Sequence, residues 1–495
     1  MRNKSHSTLS TALGTLALSL TLAACGGGDG GGNNNGQSGS GGAFQGIWTA
    51  AGYGQVLAIE GSRVRSYDYS TDFCLLSDEE SGVSDADLRD ENWTLSADGQ
   101  SIRVSLTYLG LDYRGPEYRR QDSLPASCAS PVAQQGQGGY SADALRDFDY
   151  FAQIFQEYYL SFDLKGVDWA ANTASLRDGL TSASDQETLF LTLAEAIRPL
   201  RDAHVKVFIA DQALASFNGH PTLNERFHQQ WVDANGAVDS EAKQQQYVAY
   251  MEGQNQRVRA IRQHYALPGT LDQAANDKLS WYIAPDNIGV LMLDSFIGFS
   301  GDQANIEDYD EEAEYTALEN ALDQAMAALA NTDALIFDLR LNGGGLDFAA
   351  GLVVRRFLDT ERTLQYRQVR EGSSFSEPEA RVIAPAGNPY LKPVAVLTSA
   401  DTASAAESLV MMLRELPHVV LMGGNTQGIL SDVLIKQLPG GIDVWLSNER
   451  LTTPSGEWFE DSGIPVAIEV PFATARDLEA EEDSGLEAAH ALLTQ

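Results

Sequence analysis

The chain has 495 residues and a formal net charge of −36, with 69 acidic side chains against 33 basic ones. This charge argues against binding to nucleic acid or direct adsorption on anionic lipid, because both carry the same sign. A chain of this length is sufficient for several domains.

The first 25 residues have the pattern of an export signal. Arg2 and Lys4 precede an apolar stretch that is too short to span a membrane, and the segment ends in Leu-Ala-Ala-Cys at Cys25. This ending resembles the lipobox of bacterial lipoproteins, so we expect Cys25 to become the lipid-bearing first residue. Residues 26–42 are rich in Gly and Asn, which is typical of a flexible tether. By the same resemblance, the glycine after Cys25 favours the outer membrane, facing the periplasm or the cell surface.

Residues 43–130 are predicted to form a small all-β domain. Short apolar runs alternate there with turns of Gly, Asp and Ser. Cys74 and Cys128 both lie in this region, and an exported protein permits a disulfide between them. Closing a loop of about 55 residues stabilises a fold by roughly 4 kcal/mol in entropy models. Substrate capture, gating and spacing are all open as roles for this domain.

The pattern then becomes helical. Residues 131–140 are interpreted as a linker, and residues 141–210 as a helical subdomain with one apolar stripe. Ser184 and Glu187 have the spacing of a capping box at a helix start. Residues 211–278 are polar and glutamine-rich with helical spacing, which predicts a helical insertion.

An α/β core is predicted for residues 279–475, because short apolar strands alternate there with helical patterns. Residues 476–495 read as an acidic tail. The acidic runs at 307–314 and 477–483 are interpreted as solvated surface. We find no metal-ligand spacing and no phosphate-binding loop in the sequence.

A glycine triplet follows the apolar segment 334–337. Gly343, Gly344 and Gly345 allow the backbone to approach a ligand closely and supply free N–H donors. These are the properties that an oxyanion hole requires. A tight turn between a strand and a helix is the alternative interpretation.

A single hydroxyl occupies a second junction of this kind. The apolar run 394–397 predicts a buried strand, and Leu409, Met412 and Leu413 have the spacing of a helix with one buried face. Ser404 therefore lies at or near a helix N-terminus, where unpaired N–H groups could stabilise an oxyanion. A simple capped helix start is the alternative, since serine is among the commonest caps.

Taken together, these segments resemble the C-terminal-processing and tricorn-like family of serine peptidases. The matching motifs are Leu-Arg-Asp-Ala-His at 200–204, Ile-Gly-Val-Leu at 288–291, Asp-Leu-Arg-Leu-Asn-Gly-Gly-Gly at 338–345, Thr-Ala-Ser-Ala-Ala-Glu at 402–407, Gly-Gly-Asn-Thr-Gln-Gly at 423–428 and Glu-Asp-Ser-Gly-Ile-Pro at 460–465. The resemblance covers roughly two thirds of the chain and implies a multidomain protein with the ClpP/crotonase-like α/β core of this family. The carboxylate-binding loop of a PDZ domain has no counterpart in the sequence.

The resemblance implies that Ser404 is the nucleophile. Relatives with a Ser/Lys dyad carry the lysine in a loop where this chain has Ile429, and the next lysine, Lys436, is expected to face outward from a strand. Tricorn-like relatives use a histidine instead, at the position of His204. Its ordinary pKa near 6.5 suits a general base. No cofactor is implied.

Glu460 is the carboxylate that the resemblance implies for orienting the imidazole, with Glu457 and Asp461 as alternatives. Ala203 departs from those tricorn-like members that place a serine before the histidine. The expected oxyanion hole consists of the backbone N–H of Ala405 with that of Gly343 or Gly344.

These observations predict an exported, lipid-anchored serine endopeptidase that acts on polypeptides through an acyl-enzyme. A non-catalytic peptide- or lipid-binding protein on the same fold, and an esterase, are the alternatives. The sequence leaves the cleavage preference and the oligomeric state open.

Overall fold

The computed structural model describes residues 42–210, 212–216, 219–301 and 310–495. The predicted signal segment, Cys25 and the tether up to residue 41 lie outside the described residues. Over the described part the chain is a mixed α/β protein with more than one domain. No helix in that part is long and apolar enough to cross a membrane.

The N-terminal part forms an antiparallel sheet around the buried side chains of Trp48, Leu57 and Ile59. Its elements are β1 (Gly46–Ala50), β2 (Gln55–Glu60), β3 (Arg63–Tyr69), β4 (Cys74–Ser81), α1 (Asp85–Asp90), β5 (Trp93–Leu95), β6 (Ser101–Tyr108), β7 (Leu111–Arg114) and β8 (Tyr118–Gln121). The strand order is β4-β3-β2-β1-β8-β6-β5, with β7 paired to β6. A disulfide joins Cys74, at the start of β4, to Cys128.

A helical segment follows this sheet. Its helices are α2 (Ala144–Tyr158), α3 (Phe162–Lys165), α4 (Trp169–Arg177) and α5 (Gln186–Ile197). They bury a common apolar core that includes Phe151, Phe155 and Trp169. The predicted cap of α5 was one residue too early, because the carboxylate of Asp185 accepts the N–H of Thr188 and also suits the positive end of the helix.

Two further elements of the fold surround the core. Strand β9 (Lys206–Ile209) ends the segment predicted to be helical, and the insertion at 211–278 contains β10 (Gln212–Ala215), α6 (Leu223–Asn235) and α7 (Glu241–Gln263). Strands β9 and β10 continue into β20 (Val433–Gln437) and β21 (Asp443–Ser447) in the order β10-β9-β21-β20. Another sheet comprises β15 (Arg362–Glu371), β16 (Ser374–Phe375), β17 (Glu379–Ile383) and β22 (Glu449–Thr452).

The central sheet positions the glycine triplet and Ser404. Its strands run in the order β11-β12-β13-β14-β18-β19-β23 and are parallel from β13 onward. Because β14 and β18 are parallel neighbours, the turns after them meet at the same edge of the sheet. The bounds are β11 (Asp272–Ala274), β12 (Leu279–Ala284), β13 (Ile288–Leu293), α8 (Glu311–Leu329), β14 (Ala334–Asp338), α9 (Asp347–Val354), β18 (Val394–Thr398), α10 (Ala405–Arg414), β19 (Val419–Gly423), β23 (Ile468–Glu469), α11 (Ala475–Ala480) and α12 (Ser484–Leu493).

The expectation that Lys436 faces outward from its strand was wrong. Its side chain is buried and pairs with Asp68 of β3, and its ammonium also donates to the carbonyl oxygen of Gly54 at 3.0 Å. The N-terminal sheet covers this face of β20. An alternating strand pattern cannot reveal that another domain packs on the polar side.

The interpretation of the acidic runs as solvated surface is wrong for three of their residues, whereas Glu479, Glu481 and Glu482 are exposed as expected. Asp477 and Asp483 are buried in the C-terminal segment, and Asp483 accepts two hydrogen bonds from Arg340 at 2.8 Å. In the described part of the other run, Glu314 is fully buried and accepts the backbone N–H groups of Gly298 and Phe299. Burial of these carboxylates is possible because each meets several donors.

Candidate active site

Ser404 lies in a strained turn between β18 and α10. Its backbone has φ 56° and ψ −125°, a region that residues other than glycine rarely occupy. Hydrogen bonds fix the preceding turn: Thr402 Oγ1 donates to the carbonyl oxygen of Leu339, and Ser399 Oγ donates to that of Arg340. The serine is therefore held in one uncommon conformation by the surrounding structure.

The glycine triplet packs directly against this turn. A Cβ atom placed on Gly344, whose φ is 94°, would lie 2.7 Å from Ser404 Cβ and 2.7 Å from the carbonyl oxygen of Ala403. Only glycine allows so close an approach. Asn342 fixes the contact, because its carbonyl oxygen accepts the N–H of Ala403 and its Oδ1 accepts the N–H of Gly344.

Two backbone donors stay free beside Ser404. Within the described residues, the N–H groups of Gly343 and Ala405 have no protein acceptor. The N–H of Gly344, in contrast, is engaged by Asn342. Of the three expected oxyanion donors, Gly343 and Ala405 are thus the pair available to a substrate.

A buried ion network fixes the loop that carries the triplet. Arg340 and Arg262 both donate to Asp338, and Arg340 also binds Asp483. Burial by itself raises the pKa of Asp338, but the two guanidinium groups hold it below its ordinary value. These charges give the glycine turn a rigid base.

Glu407, one turn into α10, joins the Ser404 turn to the loop 428–431. Its side chain is fully buried, and Oε2 accepts the N–H groups of Ser404 and Ile429 at 3.1 Å and 2.9 Å. Oε1 accepts Thr426 Oγ1 and the N–H of Gly428. Burial raises the pKa of Glu407 to about 7, although these hydrogen bonds oppose the shift.

Glu460 holds the other end of the same loop. Its Oε2 accepts the N–H groups of Leu430 and Ser431 at 3.0 Å and 3.1 Å, whereas the equally buried Oε1 has no partner. Burial and the nearby Asp202 raise the pKa of Glu460 well above its ordinary value, and Lys165 opposes this rise. One acceptor site on Glu460 is therefore unused.

His204 is buried beside Ser431. Burial lowers its pKa to about 4, and a hydrogen bond to the backbone of Ser431 opposes that shift. Its own main-chain N–H donates to Asp202, which also accepts from Tyr159 and Ser447. The Nδ1 atom is buried without a partner. The ring is consequently a neutral imidazole at ordinary pH.

The loop 428–431 connects the three predicted site residues. It contacts Glu407 at its first residues, and Glu460 and His204 at its other end. No hydrogen bond joins Ser404 to His204 in this structure, although both residues lie in its described part. Catalytic hydrogen bonds are often long or open without substrate.

The remaining candidates lie apart from this network or play other roles. Glu457 is half-exposed and pairs with Arg414 at 2.7 Å, and Asp461 pairs with Lys165 at 2.8 Å. Ile429, at the position of the dyad lysine, is buried with its N–H on Glu407. The described residues contain no group of side chains arranged to hold a metal ion.

Two neighbours of the site were not among the predicted site residues. His220 donates its N–H to Gln427 at 3.1 Å and places Nε2 3.3 Å from the carbonyl oxygen of Asp461. Lys165 ends α3 with its ammonium on Asp461. Neither residue belongs to a motif, and both come from segments far from Ser404 along the chain, so no local signal marks them.

A serine in a strained strand-to-helix turn, with free amide donors beside it, is the arrangement that serine-type hydrolases have at their nucleophile. Residues 287–470 match the model of peptidase family S41. This match confirms the resemblance drawn from the motifs.

Individual relatives are similar over different lengths. The carboxy-terminal processing protease CtpA of Bacillus subtilis (strain 168) is 33% identical over 141 residues, which span 28% of this chain and 28% of that protein. A solved protein from Parabacteroides merdae ATCC 43184, provisionally named a peptidase, is 23% identical with a TM-score of 0.55. The similarity covers 72% of this chain and 98% of that one, and it establishes the shared fold.

Proposed function

We propose that this protein is a serine peptidase that hydrolyses peptide bonds, with Ser404 as nucleophile, His204 as general base and acid, and Glu460 as the carboxylate that orients His204. The observation that carries the proposal is the position of Ser404. Its strained backbone lies against Gly344, and the N–H groups of Gly343 and Ala405 are free beside it. A plain helix start leaves N–H groups free as well, but it requires neither the strained backbone of the serine nor the close approach of a glycine loop from another strand.

The proposed reaction begins with attack of Ser404 Oγ on the carbonyl carbon of the scissile bond, while His204 takes the hydroxyl proton. The N–H groups of Gly343 and Ala405 would bind the oxyanion, and such donors typically contribute about 2.7–4 kcal/mol each in the transition state. The C–N bond then breaks and His204 returns the proton to the leaving amine. Water, deprotonated by His204, hydrolyses the acyl-enzyme and releases the carboxylic acid.

The unused atoms of His204 and Glu460 support their proposed roles. His204 Nδ1 and Glu460 Oε1 are both buried without a partner, and each can satisfy the other: a protonated Nδ1 donates and a carboxylate oxygen accepts. Bringing them together on substrate binding would orient the imidazole. An unpaired buried polar atom costs about 1–3 kcal/mol, which favours this closure.

We further propose that the protein acts in the cell envelope as a lipoprotein anchored through Cys25. The Cys74–Cys128 disulfide supports export, because such bonds persist in oxidising compartments. In this proposal, residues 279–475 form the tricorn-like catalytic core and residues 43–130 a separate β domain. Its substrate would be a polypeptide.

Covalent labelling tests the proposal directly. The mature chain would be treated with a serine-directed phosphonate, and its turnover of an unfolded protein and of a simple ester would be measured. We expect labelling and proteolysis in the wild type, none in Ser404→Ala, and wild-type behaviour in Ser462→Ala, a nearby control. Equal labelling of the wild type and Ser404→Ala would remove Ser404 from its role, and turnover of the ester alone would indicate an esterase.

A binding protein on the same fold is the second candidate. The observation that favours it is the missing hydrogen bond between Ser404 and His204. In that case the wild type would bind unfolded polypeptide without cleaving it, and Ser404→Ala would bind it equally well.

A further inference from the structure

Arg450 lies in a corner between two aromatic rings. It belongs to β22, whereas Phe375 comes from β16 and Trp458 from the loop that leads to Glu460. The guanidinium carbon lies 5.2 Å from the centroid of each ring, and the two centroids are 6.3 Å apart with the ring planes at 78°. All three side chains are half-buried. Contacts of a cation with ring faces at this range hold the planar guanidinium in place.

The donors of this aromatic corner have no acceptor. Nothing in the described part of the chain pairs with the guanidinium of Arg450, and its Nε and the Nε1 of Trp458 are both buried without a partner. Arg356 and Arg362 also have an unpartnered Nε, but their terminal nitrogens bind carboxylates. Arginine and tryptophan side chains can only donate hydrogen bonds. The group that completes the corner is therefore an acceptor.

The carboxylates that are close along the chain are engaged elsewhere. Glu449 precedes Arg450 in β22, where successive side chains point to opposite faces, and it accepts the hydroxyl of Tyr53 at 2.6 Å. Glu457, in the loop after β22, pairs with Arg414 at 2.7 Å. Because the chain has 69 acidic side chains against 33 basic ones, acidic partners are plentiful. The charge of Arg450 is nevertheless left to a ligand.

The aromatic corner is attached to the candidate site on both sides. The main-chain N–H of Glu449, next to Arg450, donates to Ser431 Oγ at 3.0 Å. Glu460, two residues after Trp458, accepts the main-chain N–H of Ser431 at 3.1 Å. Ser431 is the residue whose backbone hydrogen-bonds with His204. A ligand in the corner would therefore lie on the same segments that hold the loop 428–431.

We propose that Arg450, Trp458 and Phe375 form a subsite that binds a carboxylate group of the polypeptide substrate. A guanidinium presents two parallel N–H groups to the two oxygens of a carboxylate, and partial burial strengthens this contact. The indole Nε1 is a further donor, and the rings keep the guanidinium flat and oriented. Acidic side chains and the C-terminus of a chain carry the same group. This inference rests on the proposed function, because it names the chemistry of a preferred substrate.

A purely structural role makes a different prediction. If Arg450 only fills the space between the rings, Arg450→Met keeps most of that packing and should affect all substrates equally. If its guanidinium binds a carboxylate, Arg450→Met should weaken only the substrates that carry one. Arg450→Lys keeps the charge without the fork and should retain part of the preference. Arg362→Met is the matched control, because it removes the same charge from an arginine outside the corner.

The test compares peptides that differ only in their carboxylates. One peptide that the wild type cleaves would be prepared without acidic residues and with an amidated C-terminus, then with Glu at one position at a time, and then with a free C-terminus. We expect the wild-type KM to be about tenfold lower for a carboxylate peptide than for the neutral one, since a hydrogen bond to a charged group typically contributes that factor or more. The better peptide identifies the source of the carboxylate.

The variants then assign this preference to the corner. Arg450→Met should raise the KM of the preferred peptide to that of the neutral peptide with little change in kcat, whereas Arg362→Met should keep the wild-type difference. Circular dichroism checks folding, and Trp458→Phe, which keeps a ring and removes the Nε1 donor, replaces Arg450→Met if that variant does not fold. Equal KM values across the wild-type set, or an unchanged preference in the corner variant, would overturn the inference.

A second measurement does not depend on turnover. Fluorescence anisotropy of the labelled peptides would be measured with Ser404→Ala and with the double variant that adds Arg450→Met. The carboxylate peptide should bind about tenfold more weakly to the double variant, and the neutral peptide should bind equally to both. Equal affinities for the carboxylate peptide would contradict the subsite. Loss of Ser404-dependent turnover in the wild type would instead contradict the proposed function, while this binding difference still decides the role of Arg450.

Discussion

Glu407 and Glu460 are two buried glutamates that bind the same loop from opposite ends. Glu407 accepts four hydrogen bonds, which occupy both of its oxygens. Glu460 accepts two, both on Oε2, and its Oε1 is buried without a partner. The two side chains differ little in exposure, so burial does not distinguish them.

The difference lies in what each carboxylate can still do. A glutamate whose acceptors are all used can only hold the surrounding backbone, and Glu407 does so for Ser404 and the loop 428–431. A glutamate with an unused acceptor can gain a partner when substrate binds. We therefore assign a structural role to Glu407 and the proposed catalytic role to Glu460.

The largest expected effect is on turnover in Glu460→Gln. The amide can still accept the N–H groups of Leu430 and Ser431, but it presents no anion to His204. We expect kcat/KM to fall by a factor of about 1,000 or more, by analogy with loss of the orienting carboxylate in serine triads. Denaturant unfolding should show little loss of stability. Near-wild-type turnover would contradict the catalytic role assigned to Glu460 and would mean that another carboxylate orients His204.

For Glu407→Ala the expected effect is a large loss of stability, in contrast to Glu460→Gln. Three backbone N–H groups and the hydroxyl of Thr426 would lose their acceptor in the interior. We expect the free energy of unfolding to fall by about 3 kcal/mol or more, because each unsatisfied buried donor costs about 1–3 kcal/mol. Urea unfolding measures this loss, with Glu415→Ala at the end of α10 as the control. A change as small as that of the control would show that the loop does not depend on Glu407.

His204 and Glu407 should make opposite contributions to the pH dependence of stability. Burial lowers the pKa of His204 from 6.5 to about 4, so the unfolded chain binds its proton first and stability falls as pH falls through this window. Burial raises the pKa of Glu407 from 4.5 to about 7, so its contribution is lost as pH rises through that range. Each slope is at most about 1.4 kcal/mol per pH unit.

Denaturant unfolding of the wild type and His204→Asn from pH 4 to pH 7 measures the first slope. The wild type should lose unfolding free energy as the pH falls over this range, and this loss should disappear in His204→Asn. An identical pH dependence in the two proteins would mean that His204 is not neutral and buried in solution.

The smallest effect is expected for Glu457→Gln. This carboxylate is half-exposed, and its ion pair with Arg414 is of a kind that contributes at most about 1 kcal/mol. Turnover should be unchanged and stability should change by less than that amount. A large loss of turnover would favour Glu457 over Glu460 as the orienting carboxylate.

The chain alone determined the local features of this protein. Buried strands end before the glycine triplet and before Ser404, and these short-range patterns follow from backbone chemistry that any fold must satisfy. The family resemblance then pointed to His204 and Glu460, which local pattern could not have singled out among seven histidines and 69 acidic residues.

Only the tertiary structure decided which charged groups are buried and what each one pairs with. Lys436 faces Asp68, Asp483 faces Arg340, and Lys165 faces Asp461, all across long stretches of sequence. The energy of a buried charge depends on partners and desolvation that arise when distant segments meet. For the same reason, the structure alone revealed that Glu407 has no free acceptor and that Glu460 has one.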